Sequence, residues 1–397
     1  MLAIENGAVH TAEGVIQDGV VLIEGETIRE IGPRKALKIP PGTHCLDAQG
    51  GYVVPGFVDM HTHGALGHDL MSATPAELEA ITRFLPKYGV TAFVPATVTA
   101  PTEEILRALE LAQQVLSEPR LSGAEILGVH IEGPYIDQEM RGAHRRDAIR
   151  NPDPEEYMAL LEYSDIISWV TLAPELPGAL QLIQALRNRD IMVSAGHTLA
   201  VESDVERAVE AGLGHVTHLY GNMGGFRRVN LTRVAGMTEV ALSDDRLTAE
   251  IIGDGYHISP GLMKLAYKAK GASRLAVVTD ASPLVGLPPG RYNLWGIDVV
   301  LEEETSYLPD RSAFAGSITT MDRCLRNVVH LMEAPLEEAL RMISATPASI
   351  LGVAHRKGSL ASGKDADVVI LDSNLQVAHT IVLGQLFYSR NAKHTAQ

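Results

Sequence analysis

The chain has 397 residues, of which 46% are hydrophobic and 21% are charged, and its formal net charge is −16 at pH 7. Such a composition is typical of a folded globular protein, and the length allows a large domain together with a smaller one. The acidic balance and the lack of a long basic run argue against nucleic-acid binding. Because no apolar run reaches the ~18 residues of a membrane helix, we expect no membrane partner either.

Cysteine usage and the first residues indicate the compartment. The two cysteines, Cys45 and Cys324, are far apart in the sequence, which excludes a disulfide framework and favours reduced thiols. The first residues, MLAIENGAVHTAEG, contain no apolar stretch of the kind found in a secretory signal peptide. We therefore expect a cytoplasmic protein.

Both ends of the chain predict short β-strands separated by glycine-containing turns. A few strands alone would make a poor core, so the simplest arrangement is one small β-sandwich to which both ends contribute. This unit would comprise residues 1–50 and 354–397, with residues 51–353 inserted as a larger domain. The predicted strands are 2–9, 20–24, 27–31, 358–360, 366–371, 376–383 and 386–388.

The central part of the chain alternates short apolar runs with helical patterns. Apolar residues spaced three or four apart predict helices at 101–116, 180–186, 202–211 and 336–351. Alternation of strands and helices at this spacing predicts an α/β fold, a (β/α)8 TIM-like barrel. In that fold the reactive groups gather at the carboxyl ends of the strands.

The apolar runs end at residues that can bind a metal ion. Residues i and i+2 of a strand share a face, so His61 and His63 can enter one site. Neutral nitrogen and anionic oxygen donors of this kind hold zinc, iron, manganese or cobalt. The candidate ligands are His61, His63, Glu132, His197, His218 and Asp280.

The motifs around these residues resemble those of a known family. The segments PGFVDMHTHG, HIEGPYIDQEMRGAH, SAGHT, THLYGNM, DGYHI, VTDAS and AGSITTM occur in the order seen in the amidohydrolase superfamily. They are most similar to the N-acetylglucosamine-6-phosphate deacetylase family. The terminal segments VVLIEGETIREIG and GSLASGKDADVVILD resemble the small β-sandwich of that superfamily.

The resemblance implies roles for the candidate ligands. His61 and His63, with Asp280 beside them, match the ligands of a first divalent metal ion, and His197 and His218 match those of a second. Glu132 matches a carboxylate that bridges two metals or serves one. Because both histidines of the H-x-H pair are kept, we expect two metal ions rather than one. Asp280 would be the catalytic general base and acid.

Substrate contacts also follow from the resemblance. His257 matches a catalytic residue that contacts the substrate's amide, His144 one that contacts sugar hydroxyls, and Phe314 an apolar position near the acetyl methyl. The backbone at Gly221 and Asn222 matches a phosphate contact. The family's phosphate-binding arginine falls here at Val229 or Asn230, and we expect Arg228, or its neighbours Arg227 and Arg233, to replace it. The family implies a homodimer.

The leading hypothesis is a metal-dependent hydrolase that converts N-acetyl-D-glucosamine 6-phosphate to glucosamine 6-phosphate and acetate. Its nearest rival is deacetylation of another N-acetyl amino sugar, either N-acetylgalactosamine 6-phosphate or an unphosphorylated sugar, because the arginine loop departs from the family pattern. A cyclic-amide hydrolase is disfavoured by Glu132 and by the AGS segment. A catalytically inactive scaffold is disfavoured by the complete ligand set.

Overall fold

The computed structural model describes residues 1–117 and 122–390, so the last seven residues of the predicted terminal unit, 391–397, lie outside the described residues. Eight parallel strands form a closed ring in the central part of the chain. Hydrogen-bonded ladders join most neighbours, and the bridges Ala96–His130 and Thr62–Ala281 complete the ring. The strands are Phe57–Thr62, Val90–Pro95, Val129–Glu132, Ile167–Leu172, Met192–Ala195, His215–Val216, Thr248–Ile252 and Leu275–Val278. The predicted barrel is confirmed.

Helices follow the barrel strands and pack on the outside of the ring. Thr102–Ser117, for example, buries Ile105, Ala108, Leu109, Ala112 and Val115, whose spacing of three or four residues places them on one helix face. The first helix starts at a capping box in which Thr74 and Glu77 satisfy each other's backbone N–H groups. The α-helices are Pro75–Phe84, Thr102–Ser117, Pro154–Leu160, Ala179–Arg187, Glu202–Ala211, Met237–Ser243, Pro260–Lys270, Met321–His330, Leu336–Ile343 and Ala345–Ile350.

The single helix predicted at 336–351 is wrong, because the structure divides this segment into Leu336–Ile343 and Ala345–Ile350. Ser344 leaves the helical region, with φ −135° and ψ −71°. Pro347 lacks the N–H that a continuous helix would bond to the carbonyl of Ile343. The break therefore has a local cause that the apolar periodicity alone does not report.

The two chain ends build one eight-stranded sheet beside the barrel, as predicted. Val368–Leu371 pairs with Tyr52–Pro55, which pairs in turn with Leu2–Thr11. The sheet folds over on itself, since Thr27 bridges Asp365 and both halves share one apolar core. The strands are Leu2–Thr11, Gly14–Glu24, Thr27–Pro33, His44–Asp47, Tyr52–Pro55, Val368–Leu371, Val377–Val382 and Gln385–Ser389.

Two details of the terminal unit differ from expectation. The predicted strand at 358–360 is absent, and Leu360 makes only an isolated bridge to Thr11. The sheet continues to Pro55, a few residues past the position near residue 51 at which we placed the larger domain. The domain boundaries at 51 and 353 stay predictions.

Several short strands lie outside both units. Gly290–Leu294, Ile297–Leu301 and Ser306–Tyr307 form an antiparallel flap that follows the eighth barrel strand. Arg227–Val229 and Thr232–Val234 form an exposed hairpin that follows the sixth. We did not predict either element. Among the described residues, no helix is long and apolar enough to cross a membrane.

Candidate active site

The barrel brings the six candidate ligands together at the carboxyl ends of its strands. Each is buried, with at most 8% of its surface exposed. Glu132 lies at the centre and divides the histidines into two pairs. Its Oε2 lies 3.2 Å from His63 Nε2 and 3.6 Å from His61 Nε2. Its Oε1 lies 3.3 Å from His197 Nε2 and 3.2 Å from His218 Nε2.

Asp280 faces the first histidine pair from the opposite wall. Its Oδ1 lies 3.3 Å from His63 Nε2 and 3.6 Å from His61 Nε2. One pair of histidines is therefore enclosed by two carboxylates, whereas the other pair faces Glu132. The two groups share the Glu132 carboxylate, which is the arrangement expected of a bridging ligand.

Three of these residues adopt a backbone conformation that L-amino acids rarely use. The φ angles are 48° at His197, 27° at His218 and 45° at Asp280. Left-handed conformations of non-glycine residues cost on the order of 1–3 kcal/mol each and concentrate at functional sites. Here each one occurs two residues past the last residue of a barrel strand.

The histidine tautomers fit a metal ion. His197 Nδ1 donates to the Met140 carbonyl oxygen at 2.8 Å, and His61 Nδ1 donates to Glu250 Oε1 at 2.6 Å. When either ring is neutral, its Nε2 presents a lone pair to the site. His197 Nε2 lies 3.0 Å from His218 Nε2, and the buried His61 Nε2 has no hydrogen-bond partner in the part of the chain that the structure describes. Converging lone pairs beside carboxylates are a donor set that a divalent cation would satisfy.

The electrostatics of the site favour positive charge. Burial opposes protonation of His63, but the nearby Asp280 and Glu132 carboxylates outweigh it and raise its pKa to about 9. The pKa of His61 is likewise raised well above its usual value, since Glu250, Glu132 and Asp280 outweigh burial. A metal ion bound here would compete with protons for the same nitrogens.

His144 lies next to the ligands but presents a different group. Its Nδ1 accepts from the Thr99 N–H at 3.2 Å, so its Nε2 carries the hydrogen, 3.6 Å from Glu132 Oε2. Burial, with the adjacent His197, lowers its pKa to about 3. His144 is close enough to Glu132 and His197 to form a ligand group with them, but the neutral ring offers them an N–H rather than a lone pair.

A cavity of about 260 Å³ opens from these residues to the surface. His257 lines it, held by a 2.6 Å hydrogen bond from Nδ1 to Asp254 Oδ2, and its ring lies 4.5 Å from that of Phe314. The candidate residues that line the cavity are His63, Glu132, His144, His197, His218, Gly221, Asn222, His257, Asp280 and Phe314. His61 lies behind this wall, fully buried.

The structure does not bring Arg228 to the cavity. Arg228 belongs to the exposed strand Arg227–Val229, and Arg233 lies opposite it in the hairpin. Among the described residues, the arginine that lines the cavity is Arg145, whose guanidinium pairs with Asp147 at 2.8 Å. The expected anion contact from Arg228 is therefore absent within a single chain.

Two residues near the site were missed by the sequence interpretation. Glu250 is a charged residue inside the buried strand Thr248–Ile252, and an ionised group in an apolar run is a signal that could have identified it. Trp295 lines the cavity, its ring 5.7 Å from that of His63, and its Nε1 donates to Asp69 Oδ2 at 2.8 Å. Trp295 lies in the flap, and no sequence motif indicates that it approaches the candidate ligands.

Comparison with known proteins agrees with this geometry. Residues 52–387 match the model of the amidohydrolase family. The chain is 35% identical to the N-acetylglucosamine-6-phosphate deacetylase of Bacillus subtilis over 395 residues, 98% of each chain. It is 34% identical to the N-acetylgalactosamine-6-phosphate deacetylase of Escherichia coli O157:H7 over 377 residues, 95% of this chain and 96% of the relative.

Solved structures agree as well. The chain superposes with a TM-score of 0.87 on the N-acetyl-D-glucosamine-6-phosphate deacetylase of Mycobacterium smegmatis in complex with N-acetyl-D-glucosamine-6-phosphate. That protein is 30% identical, and the match covers 98% of this chain and 99% of the other. The chain therefore belongs to the amidohydrolase family and is a hydrolase of the N-acetylglucosamine-6-phosphate deacetylase type.

Proposed function

We propose that the protein hydrolyses the acetamido group of N-acetyl-D-glucosamine 6-phosphate, producing glucosamine 6-phosphate and acetate. The observation that carries this proposal is the pair of histidine groups on the two oxygens of Glu132, with Asp280 facing them in a cavity of small-molecule size. Relatives named for this reaction align over nearly the whole chain.

Two divalent ions are the proposed cofactors, from among zinc, iron, manganese and cobalt. His61, His63 and Asp280 would hold one, His197 and His218 the other, and Glu132 would contact both. A bound divalent metal supplies hydroxide from water near neutral pH and polarises a carbonyl oxygen. The Nε2 lone pairs described above support this assignment.

Asp280 is the proposed general base and acid. In the metal-free site, burial favours its neutral form, but protonated His61 and His63 hold its pKa below the ordinary value; a bound cation would favour the carboxylate in the same way. Asp280 is therefore a carboxylate at neutral pH and lines the cavity, where it can accept the proton of the attacking water. It then passes that proton to the departing amine, which must be protonated to leave.

His257 and His144 are proposed to orient the sugar. The hydrogen bond that Nδ1 donates to Asp254 fixes the His257 ring and leaves a lone pair on Nε2, which suits the N–H of the substrate's amide. His144 presents Nε2–H beside Glu132, so it suits a sugar hydroxyl. Phe314, in contact with the His257 ring, would cover the acetyl methyl.

The phosphate contact is proposed for the backbone of Gly221 and Asn222, which line the cavity. Since Arg228 lies on the exposed hairpin, N-acetylgalactosamine 6-phosphate or an unphosphorylated N-acetyl sugar is a second candidate substrate. The Escherichia coli relative, named for the galactosamine sugar at a similar identity, supports keeping this alternative.

A homodimer and a cytoplasmic location complete the proposal. In the exposed hairpin segment 226–234, Phe226 is 63% and Leu231 is 83% exposed, which is unusual for large apolar side chains unless they meet a partner. Arg227 and Arg228 lie beside them and could reach a neighbouring site's phosphate in a dimer.

Both cysteines are free, Cys45 exposed and Cys324 buried, which suits a reducing compartment.

The test is acetate release by metal-loaded enzyme from N-acetylglucosamine 6-phosphate, from N-acetylgalactosamine 6-phosphate and from unphosphorylated N-acetylglucosamine. We expect a preference of about a hundredfold for N-acetylglucosamine 6-phosphate over unphosphorylated N-acetylglucosamine, about 2.7 kcal/mol. Asp280→Asn is expected to lower kcat by about 10²–10⁴-fold. Absence of acetate from every sugar would refute the proposed function, and preference for N-acetylgalactosamine 6-phosphate or for the unphosphorylated sugar would select the second candidate.

A further inference from the structure

Glu250 contacts both histidine pairs, although it is not one of the candidate ligands. It lies in the seventh barrel strand, and its side chain is fully buried. Its Oε1 accepts from His61 Nδ1 at 2.6 Å and from the backbone N–H of His218 at 3.1 Å. A single oxygen therefore orients the ring of one histidine, whereas its contact with the other reaches only the backbone.

The four site histidines differ in what holds their outer nitrogen. His197 Nδ1 donates to the neutral carbonyl of Met140. The Nδ1 atoms of His63 and His218 are buried and have no hydrogen-bond partner among the described residues. Within residues 1–117 and 122–390, His61 is the one of these four with an anion on this nitrogen, at the short distance typical of a charge-assisted hydrogen bond.

A carboxylate on the outer nitrogen of a ligating histidine fixes its tautomer and increases the basicity of the inner nitrogen. The inner nitrogen of His61 is the buried Nε2 that lacks a partner and faces Glu132 and Asp280. We propose that Glu250 is a positioning residue that sets the metal affinity of the first site, so that its charge decides whether the protein holds one ion or two. This inference rests on the proposed two-metal site.

The decisive variant is Glu250→Gln. Glutamine keeps the size of the side chain and one oxygen that can accept from both His61 Nδ1 and the His218 N–H. It removes the negative charge and replaces Oε2, 3.9 Å from His215 Nε2, with an NH2 group. The matched control is Glu175→Gln. Glu175 is a partly buried carboxylate that accepts from Thr198 Oγ1 and from the Leu199 N–H at 2.6 Å, and no site histidine donates to it in the structure.

The measurement is metal content by mass spectrometry, together with calorimetric titration of the metal-free protein with Mn²⁺. We expect two binding events in the wild type and in Glu175→Gln. In Glu250→Gln, one event should weaken by about 10–100-fold, the usual cost of losing an outer-shell partner, and the other should be unchanged. In the background of His61→Asn, the Glu250→Gln change should cause no further loss of affinity.

The inference would be overturned if both metal-binding events of Glu250→Gln were unchanged, or if both were weakened equally. It would also be overturned if the wild type showed a single binding event and the variant kept that event unchanged. Circular dichroism of the metal-free variants establishes that they fold, and His61→Asn, which removes the ligand itself, should lose the same event. Acetate release by the wild type is measured separately. Failure of the catalytic proposal is therefore distinguishable from failure of this one.

Discussion

Replacing Lys357 with methionine should destabilise the protein by about 3–5 kcal/mol, the usual cost of removing one partner from a buried ion pair. Lys357 is 2% exposed. Its Nζ lies 2.7 Å from Glu125, 2.9 Å from Asp365 and 2.7 Å from Asp367. Glu125 flanks the second barrel strand, so this cluster ties the barrel to the terminal sheet.

The magnitude follows from what each carboxylate keeps after the change. Arg356 still pairs with Glu125 at 2.8 Å and with Asp365 at 2.7 Å. Among the described residues, the side chain of Asp367, 5% exposed, keeps the Leu383 N–H at 2.9 Å as its partner and loses its cation. One uncompensated buried charge accounts for the 3–5 kcal/mol, because the other two carboxylates remain paired.

The deficit should depend on pH with a definite sign. Burial raises the pKa of Asp367 even against the pull of Lys357. The folded state then binds more protons than the unfolded state above the unfolded pKa, so this group lowers stability as pH rises. Without Lys357, the pKa of folded Asp367 should rise further, so Asp367 keeps its proton to a higher pH than in the wild type. The loss of unfolding free energy should therefore be larger at pH 8 than at pH 5.

The titration of Glu125 does not contribute to the difference between pH 5 and pH 8. Arg356 and Lys357 outweigh burial and lower its pKa to about 2. Its contribution is fully present above the unfolded pKa near 4.5 and is lost only as the pH falls toward 2. Between pH 5 and pH 8, the change in the deficit therefore reports Asp367.

The assay is guanidinium unfolding of the metal-loaded wild type and Lys357→Met at both pH values. Arg29→Met is the control, because the Arg29–Glu24 pair is about half exposed and such pairs contribute about 0–1 kcal/mol. The reasoning would be refuted by a Lys357→Met deficit below 1 kcal/mol at pH 8. A deficit that increases toward pH 5 would contradict the assignment to Asp367.

Three further predictions concern the site and the hairpin. His144→Gln should lower kcat/KM by about tenfold to a hundredfold, because a hydrogen bond worth roughly 1–3 kcal/mol is lost, and the metal content should be unchanged. If the variant lost metal, His144 would be a metal ligand instead. Removing the metal with a chelator should lower the free energy of unfolding, and adding metal back at a hundred times its Kd should restore about 2.7 kcal/mol of that free energy. An unchanged free energy of unfolding would contradict the metal site. Leu231→Asp should convert a dimer to monomers in sedimentation, since it places a charge on the exposed apolar hairpin; a persistent dimer would exclude this surface.

Much of the fold could be predicted because it depends on local periodicity. Short apolar runs that alternate with helical patterns predict strands and helices, and the βα-barrel topology places the end of every strand on one face. For this reason His61, Glu132 and Asp280 could be grouped although they are far apart in the sequence. The family motifs around them pointed to the same chemistry.

Other features depend on contacts that no local pattern encodes. Glu250 lies 189 residues from His61, and Trp295 lies 226 residues from Asp69. Arg228 follows a ligand motif closely in sequence, but its strand folds into an exposed hairpin away from the cavity.

The sequence by itself therefore determined the barrel, the joining of the chain ends and the set of residues at the strand ends. These follow from spacing and polarity along the chain. Only the tertiary structure decided which oxygen of Glu132 faces which histidine, that His144 presents an N–H, and that Glu250 orients His61. Those relations are set by side-chain packing between distant strands, which sequence spacing does not specify.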